Sequence, residues 1–224
     1  MTHDAAIEEL EAALAAAQRQ LEEAGRALIA PHSSRQREAY LAADEALLSA
    51  ERALAAARGE AHAAPIAFPV RWSTGAPLPH LLQNDHRTLL LFVVEDVDPD
   101  WDGSWVRVVG PATEAEIALV EFEGCASAKL GMPNDEAFRG HPLIGRGLHA
   151  YGAFKVVHSA WIAELAAINS VHPMDRPETW SRLTHFILGF HDSTFECVAR
   201  DFRLETRRGS IADALAQACR RMVG

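Results

Sequence analysis

Residues 184–205 read THFILGFHDSTFECVARDFRLE, and this stretch decides the fold of the C-terminal part of the chain. Two runs rich in apolar residues flank Asp192 and Ser193, which predicts a β-hairpin with a two-residue turn. The twofold period of a strand then places six side chains on one apolar face: Phe186, Leu188, Phe190, Phe195, Cys197 and Ala199. The turn pairs Phe190 with Phe195. This register places Cys197 in the core and Glu196 on the opposite face, so His191 and Cys197 are not expected to bind a metal together unless the turn is one residue longer or shorter.

Further strands are predicted upstream of this hairpin, each bounded by Pro, Gly, Asn or Asp. They fall near residues 67–72, 88–95, 104–109, 117–123 and 153–158. The first four follow one another without intervening helices, which favours an antiparallel sheet over a doubly wound parallel one. Helices are expected after Ser159, from Pro177 and after Ser210. Residues 66–224 are therefore interpreted as one α+β globular domain.

The N-terminal residues 1–60 predict an alanine-rich antiparallel helical hairpin. Apolar positions separated alternately by three and four residues form two coiled-coil seams, Ile7-Leu10-Leu14-Ala17-Leu21-Ala24-Leu28 and Tyr40-Ala43-Leu47-Ala50-Leu54-Ala57. Pro31 ends the first helix, and Ser33 with Gln36 has the spacing of a capping box that begins the second. Residues 61–65 are interpreted as a linker.

A two-helix seam leaves one side of each helix uncovered. One interpretation is a structural arm that packs on its own domain. The other is that the hairpin pairs with a second copy of the chain or with the helices of another protein.

Composition excludes several classes of partner. The formal net charge is -10, and no basic cluster offsets it locally, so neither nucleic acid nor an anionic membrane surface is expected to bind. No apolar stretch approaches the roughly 20 residues of a membrane span. The acidic N-terminus does not resemble a secretory signal, which predicts a cytoplasmic protein. The three cysteines are interpreted as reduced thiols, and Cys125, after Gly124, is the one expected to be partly exposed.

The stretch from Gly131 to Leu148 holds four glycines, two prolines and an Asn-Asp-Glu cluster, so most of it is predicted to be loop. Long ordered loops carry function more often than regular elements do. The predicted ligand-binding residues are Asn134, Glu136, Arg146, His185 and Glu196. The predicted acid–base residues are His141, His191, Asp192 and Asp135. The alternative is that Asn134-Asp135 only makes a turn and that His141-Pro142 only starts the next element.

His141, His191 and Glu196 are also the candidate ligands of a divalent metal, because imidazole and carboxylate suit zinc or iron when three such groups converge. No pair of histidines has the spacing of a helical metal-binding motif. A lone histidine is more often a surface or core residue than a ligand.

Two functions follow from these features. The first is an interaction or regulatory protein, in which the hairpin sets dimerisation or docking and the α+β domain binds a partner or a small ligand. The alternative is a small-molecule enzyme, metal-dependent if the histidines converge, with its pocket between the 131–148 loop and the 185–196 hairpin. The hairpin is the stronger signal, and it does no chemistry.

Overall fold

The structure, a computed structural model, describes residues 3–28, 33–96 and 109–223. The chain divides into two compact units. The smaller unit comprises Met1–Ala64, Pro142–Leu148 and Val156–Ser159. The larger unit comprises Pro65–His141, His149–Lys155 and Ala160–Gly224.

The smaller unit contains the predicted helical hairpin. Helix α1 spans His3–Ala27 and helix α2 spans Ser34–Ala57, and the two pack against each other. The capping box is confirmed: the Ser33 hydroxyl accepts the backbone N–H of Gln36, and the Gln36 side chain accepts the backbone N–H of Ser33. Arg58, at the C-terminal end of α2, pairs with Glu11 of α1 at 2.5 Å. An antiparallel arrangement of the two helices requires this proximity.

A loop of the same unit covers the side of α2 that lies outside the seam. The backbone N–H of Gly147 donates to the Glu51 carboxylate at 3.0 Å, and Arg146 pairs with Glu60 at 3.3 Å. Residues 62–65, within the segment predicted as a linker, form strand β1 (His62–Pro65). The backbone N–H of Ala63 in that strand donates to the Arg146 carbonyl at 2.9 Å.

The larger unit is α+β and contains two sheets. The first is antiparallel, in the order β2-β3-β4-β9, and is made of β2 (His80–Gln83), β3 (Thr88–Val93), β4 (Glu114–Glu123) and β9 (Asp201–Ser210). Strand β3, with the sequence TLLLFV, is buried along its whole length. A strand of this composition suits a position covered on both faces, because all its side chains except that of Thr88 are apolar.

Within this unit, the second sheet has the strand order β6-β7-β8-β5. Its strands are β5 (Ser127–Gly131), β6 (Ala153–Val157), β7 (Thr184–Gly189) and β8 (Thr194–Ala199). Only the first three residues of β6 belong to this unit. The apolar face of this sheet packs on the first sheet. The shared core includes Leu90, Phe92, Val120, Phe122, Leu188, Phe190, Phe195 and Cys197. The arrangement is therefore a sandwich of two sheets.

Helix α5 (Ile211–Val223) covers the outer face of the first sheet. Leu89, Leu91 and Val93 of β3 point to this helix and form a second core with Ile211, Ala214 and Ala218. The predicted cap is confirmed, because the Ser210 hydroxyl accepts the backbone N–H of Asp213 at 3.1 Å. Helices α3 (Ala160–Asn169) and α4 (Pro177–Trp180) complete the unit. Within the described ranges, no helix is long and apolar enough to cross a membrane.

The predicted faces of the 184–199 hairpin are confirmed, whereas the predicted register is wrong by two residues. All six residues of the apolar face lie in the shared core. However, Phe195 pairs with Leu188 rather than Phe190. The turn is His191-Asp192, closed by the Phe190 N–H donating to the Ser193 carbonyl at 2.8 Å. Moving a two-residue turn by one position shifts the pairing by two, so the parity of the faces survives.

Two other strand predictions differ from the structure, and a third is not tested. The hairpin ends at Ala199 instead of continuing to Glu205, because the chain bends at Arg200 and enters the other sheet as β9. Residues 67–72 contribute only a single bridge, between Trp72 and Val94, and Pro69 within them has no N–H to donate to a ladder. Residues 104–108 of the strand predicted at 104–109 lie outside the described residues.

Candidate functional site

The tip of the β7–β8 hairpin meets the polar loop that follows β5. The Asp135 N–H donates to the His191 carbonyl at 2.9 Å, which fixes the loop against the turn. Beside it, the Thr194 hydroxyl donates to the Pro133 carbonyl at 2.7 Å. The two polar segments singled out in the sequence therefore converge in the larger unit.

Three side chains form a closed hydrogen-bonded cluster at this junction, named here the Asp135 cluster: Asp135, Tyr151 and His191. The Tyr151 hydroxyl donates to Asp135 Oδ2. His191 Nδ1 lies 2.9 Å from the same carboxylate oxygen and 2.9 Å from the Tyr151 oxygen. The tyrosine and imidazole rings are nearly parallel, with centroids 6.4 Å apart.

The hydrogen bonds determine where the protons lie. Burial, followed by the hydrogen bond to Asp135 and the charges of Asp135 and Asp192, raises the pKa of Tyr151 to about 12. Tyr151 therefore keeps its proton and donates it to the carboxylate, a bond that holds the pKa of Asp135 below its usual range, with His191 contributing. Since Asp135 and the Tyr151 oxygen are both acceptors towards His191, its Nδ1 carries the proton. In the neutral imidazole, Nε2 is left as the base.

Tyr151 also lines a cavity of about 440 Å³ within the larger unit. Its backbone has a φ of 60°, which is unusual for a residue with a side chain. The walls of the cavity are mainly apolar, from Ile66, Phe68, Val70, Trp72 and Phe154, with Arg71, Thr74, Glu95 and His149 as polar groups. Size and lining match those of small-molecule sites, which combine apolar walls with a few polar groups.

A second polar cluster, the Glu196 cluster, lies on the face of the β5-β8-β7 strands that points away from the sandwich core. Glu196 on β8 is buried, and its carboxylate lies 2.9 Å from His185 Nε2 on β7 and 2.9 Å from Lys129 Nζ on β5. His141 Nε2 lies 3.8 Å from the same carboxylate. Trp161 of α3 packs edge-on against the His185 ring and lies beneath the Lys129 ammonium.

Burial alone would raise the pKa of Glu196. The hydrogen bonds from His141, His185 and Lys129 and the charge of Lys129 outweigh it, so the pKa of Glu196 lies well below its usual range. The carboxylate is therefore ionised and fully engaged by basic groups. This arrangement is typical of a structural ion-pair network rather than of a group poised for proton transfer.

The predicted metal set does not converge. His141 and Glu196 belong to the Glu196 cluster, whereas His191 is bound to Asp135 and Tyr151. Among the described residues, no group of three or more His, Cys, Asp or Glu side chains has the arrangement of a metal site. The hypothesis of a divalent metal thus has no support from the geometry.

The remaining predicted residues have separate positions. Asn134 accepts the Ala137 N–H at 3.1 Å and so makes the turn that the structural alternative expects. Glu136 is exposed, and Asp192 lies 3.8 Å from His191 Nε2. Arg146 belongs to the smaller unit, where it pairs with Glu60.

Comparisons of the chain with protein-family models, curated proteins and solved structures give no match.

Sequence reasoning missed Tyr151 and Lys129. Lys129 is directly opposite Glu196 in the β5–β8 register, so a correct assignment of β5 would have predicted the pair. Tyr151 lies in a turn between Leu148 and Gly152 and comes to Asp135 only through tertiary structure. No local pattern signals that contact.

Proposed function

We propose that the larger unit is an enzyme acting on a small organic molecule by general acid–base catalysis, with His191 as the base. One observation carries the proposal: a carboxylate, a tyrosine hydroxyl and an imidazole bind one another, and the tyrosine also lines a cavity. Asp135 and Tyr151 are positioning residues, because they fix the ring and its tautomer through Nδ1. The cavity supplies the space for the substrate.

The proposed chemistry depends on Nε2 of His191, because Asp135 and Tyr151 engage the other ring nitrogen. The side chain of His191 is 41% exposed, so Nε2 can accept a proton from a bound hydroxyl or from a water that attacks the substrate. The imidazolium that forms is stabilised by the Asp135 carboxylate at Nδ1 and by Asp192 near Nε2. Return of the proton to a leaving group completes the cycle.

The cavity favours a substrate with an apolar body and a polar end. Phe68, Trp72 and Phe154 provide the apolar contact, and Arg71 with Thr74 offers donors for a carbonyl or an acid group. Hydrolysis of a small ester or a comparable acyl compound fits both the lining and the single base. Of the polar residues predicted in the 131–148 loop, only Asp135 contributes to this site.

The test is turnover of a panel of chromogenic esters, p-nitrophenyl acetate first, by the wild type and two variants. His191→Ala is expected to lower the rate about a hundredfold, the lower part of the range for a general base. His86→Ala removes another exposed histidine of the larger unit and is the matched control, expected to retain the wild-type rate. Equal turnover by wild type and His191→Ala would refute the assignment.

We also propose that the hairpin associates through α2 with a second copy of the chain. The supporting observation is that Leu41 of α2, a large apolar residue, is 55% exposed. Leu41→Glu is expected to halve the mass measured by light scattering, because a charge cannot be buried unpaired in an apolar contact. Leu41→Ala keeps the position apolar and serves as the control. A wild-type chain that is already monomeric at high concentration contradicts this proposal.

A further inference from the structure

Two cysteines come together in the larger unit although they are distant in sequence. Cys125 follows Gly124 in the turn from β4 to β5, and Cys197 lies on the neighbouring strand β8. The turn is fixed to that strand by the Ala126 N–H, which donates to the Val198 carbonyl at 2.8 Å. Cys125 packs against the shared core that contains Cys197, and its thiol donates to the Ser127 carbonyl at 3.3 Å. It lies close enough to the Cys197 thiol for each cysteine to shift the pKa of the other.

The pair is asymmetric in exposure. Cys197 is fully buried, whereas Cys125 is only partly buried. A small oxidant from solvent therefore meets the Cys125 sulfur first. Cys197, which has no exposed surface, is protected from direct attack.

The pair is also asymmetric in charge. The hydrogen bond from Cys197 is the main cause that lowers the pKa of Cys125 to about 7, against the opposing effect of burial and with help from Thr88. Burial raises the pKa of Cys197. The lowered pKa makes the thiolate a larger share of Cys125 at neutral pH than it is of an ordinary cysteine.

We propose that Cys125 and Cys197 form a reversible intramolecular disulfide when the protein meets a peroxide. The Cys125 thiolate attacks one peroxide oxygen, the O–O bond breaks, and the leaving hydroxide or alkoxide takes a proton to give water or an alcohol. The Cys197 thiol then attacks the sulfenic sulfur, the S–O bond breaks, and water leaves with the Cys197 proton. Two thiols are oxidised by two electrons, and one peroxide is reduced.

The two-cysteine arrangement makes a specific stoichiometric prediction. Because the second step consumes Cys197 whenever Cys125 has been oxidised, both thiols are lost in a one-to-one ratio. Cys219, which is exposed on α5, provides an internal comparison. Its oxidation would give a sulfenic acid or a cross-link between chains, and neither would consume Cys197.

The experiment treats the full chain with graded hydrogen peroxide and maps its peptides by mass spectrometry without reduction. We expect a linked Cys125–Cys197 peptide pair lighter by two hydrogen atoms, restored to thiols by dithiothreitol, and formed equally well in Cys219→Ser. Recovery of Cys125 and Cys197 as unlinked thiols while Cys219 is oxidised would overturn the proposal, as would a sulfinic Cys125 beside an intact Cys197 thiol.

A variant separates the two chemical steps. Cys197→Ala removes the second thiol, so Cys125 is expected to stop at the sulfenic acid, trapped by dimedone, and to proceed to the sulfinic acid with excess peroxide. Circular dichroism checks that this core variant folds. Because the mapping of the wild-type chain needs no substitution, an unfolded variant leaves the main test intact. Absence of dimedone labelling in a folded Cys197→Ala would also overturn the proposal.

Discussion

Replacing Glu196 by alanine is expected to destabilise the larger unit by about 3 kcal/mol. Removing the carboxylate leaves the buried imidazole of His185, whose Nε2 lies 2.9 Å from it, without its hydrogen-bond partner. An unsatisfied buried group costs about 1–3 kcal/mol, and the upper end applies because the lost partner is charged. Lys129 adds little, because its side chain is 59% exposed and regains water.

Urea unfolding followed by tryptophan fluorescence measures this loss, because the described tryptophans, Trp72, Trp161 and Trp180, all belong to the larger unit. Glu196→Gln is the matched control. It keeps the volume and an oxygen acceptor for His185, so a loss of about 1 kcal/mol is expected. If the alanine and glutamine variants were equally stable, the ion pair would not be the source of the stabilisation.

Acid should abolish the difference between the wild type and Glu196→Gln. Burial opposes ionisation of Glu196, but the hydrogen bonds from His141, His185 and Lys129 prevail and lower its pKa in the folded state. A carboxyl whose pKa is lower in the folded than in the unfolded chain contributes stability above its unfolded pKa, roughly 4.3, and loses it as the pH falls through the folded pKa. The two unfolding curves should therefore approach each other below about pH 4.

Gly147→Ala is expected to destabilise the smaller unit by about 3 kcal/mol. Gly147 has a φ of +83°, where an L side chain costs about 1–2 kcal/mol. In addition, a Cβ there would lie 2.7 Å from the carbonyl oxygen of Ala63, a backbone atom that cannot turn away, and against the Arg52 side chain. Overpacking of this kind adds about 1–3 kcal/mol.

Gly145→Ala is the control that measures the cost of the left-handed backbone conformation alone. Gly145 has a φ of +75°, but its Cβ would meet nothing within 4 Å, so only the cost of the left-handed conformation is expected. Thermal unfolding of the helical hairpin, followed by far-UV circular dichroism, should place Gly147→Ala clearly below Gly145→Ala. Equal losses of stability in the two variants would mean that the 142–148 loop moves away from α2 without a loss of free energy.

Local patterns predicted the elements of this fold well where the determinants are close in sequence. The packing of α1 on α2 and the capping box of Ser33 depend on residues three or four positions apart, and both were predicted correctly. The faces of the 184–199 hairpin follow from parity alone. Its register does not, because Asp192-Ser193 and His191-Asp192 are both acceptable two-residue turns with the same parity.

The candidate site was predicted only in part. Asp135 and His191 were singled out by their polar surroundings, and their convergence was the hypothesis behind the enzyme alternative. Tyr151, which links them to the cavity, comes from a third segment whose placement depends on packing. The pairing of Cys125 with Cys197 was missed for the same reason, since β5 itself was not predicted.

Strand β3 is covered by α5 on one face and by the second sheet on the other, and this has a consequence for how the larger unit opens. Each of its residues belongs to one of the two cores in alternation, apart from Thr88 at its start. No partial opening that exposes one core can leave the strand's other contacts undisturbed. Its amides should therefore be among the last to exchange with deuterated water, at rates set by global unfolding, and the two layers on either side should melt in one transition.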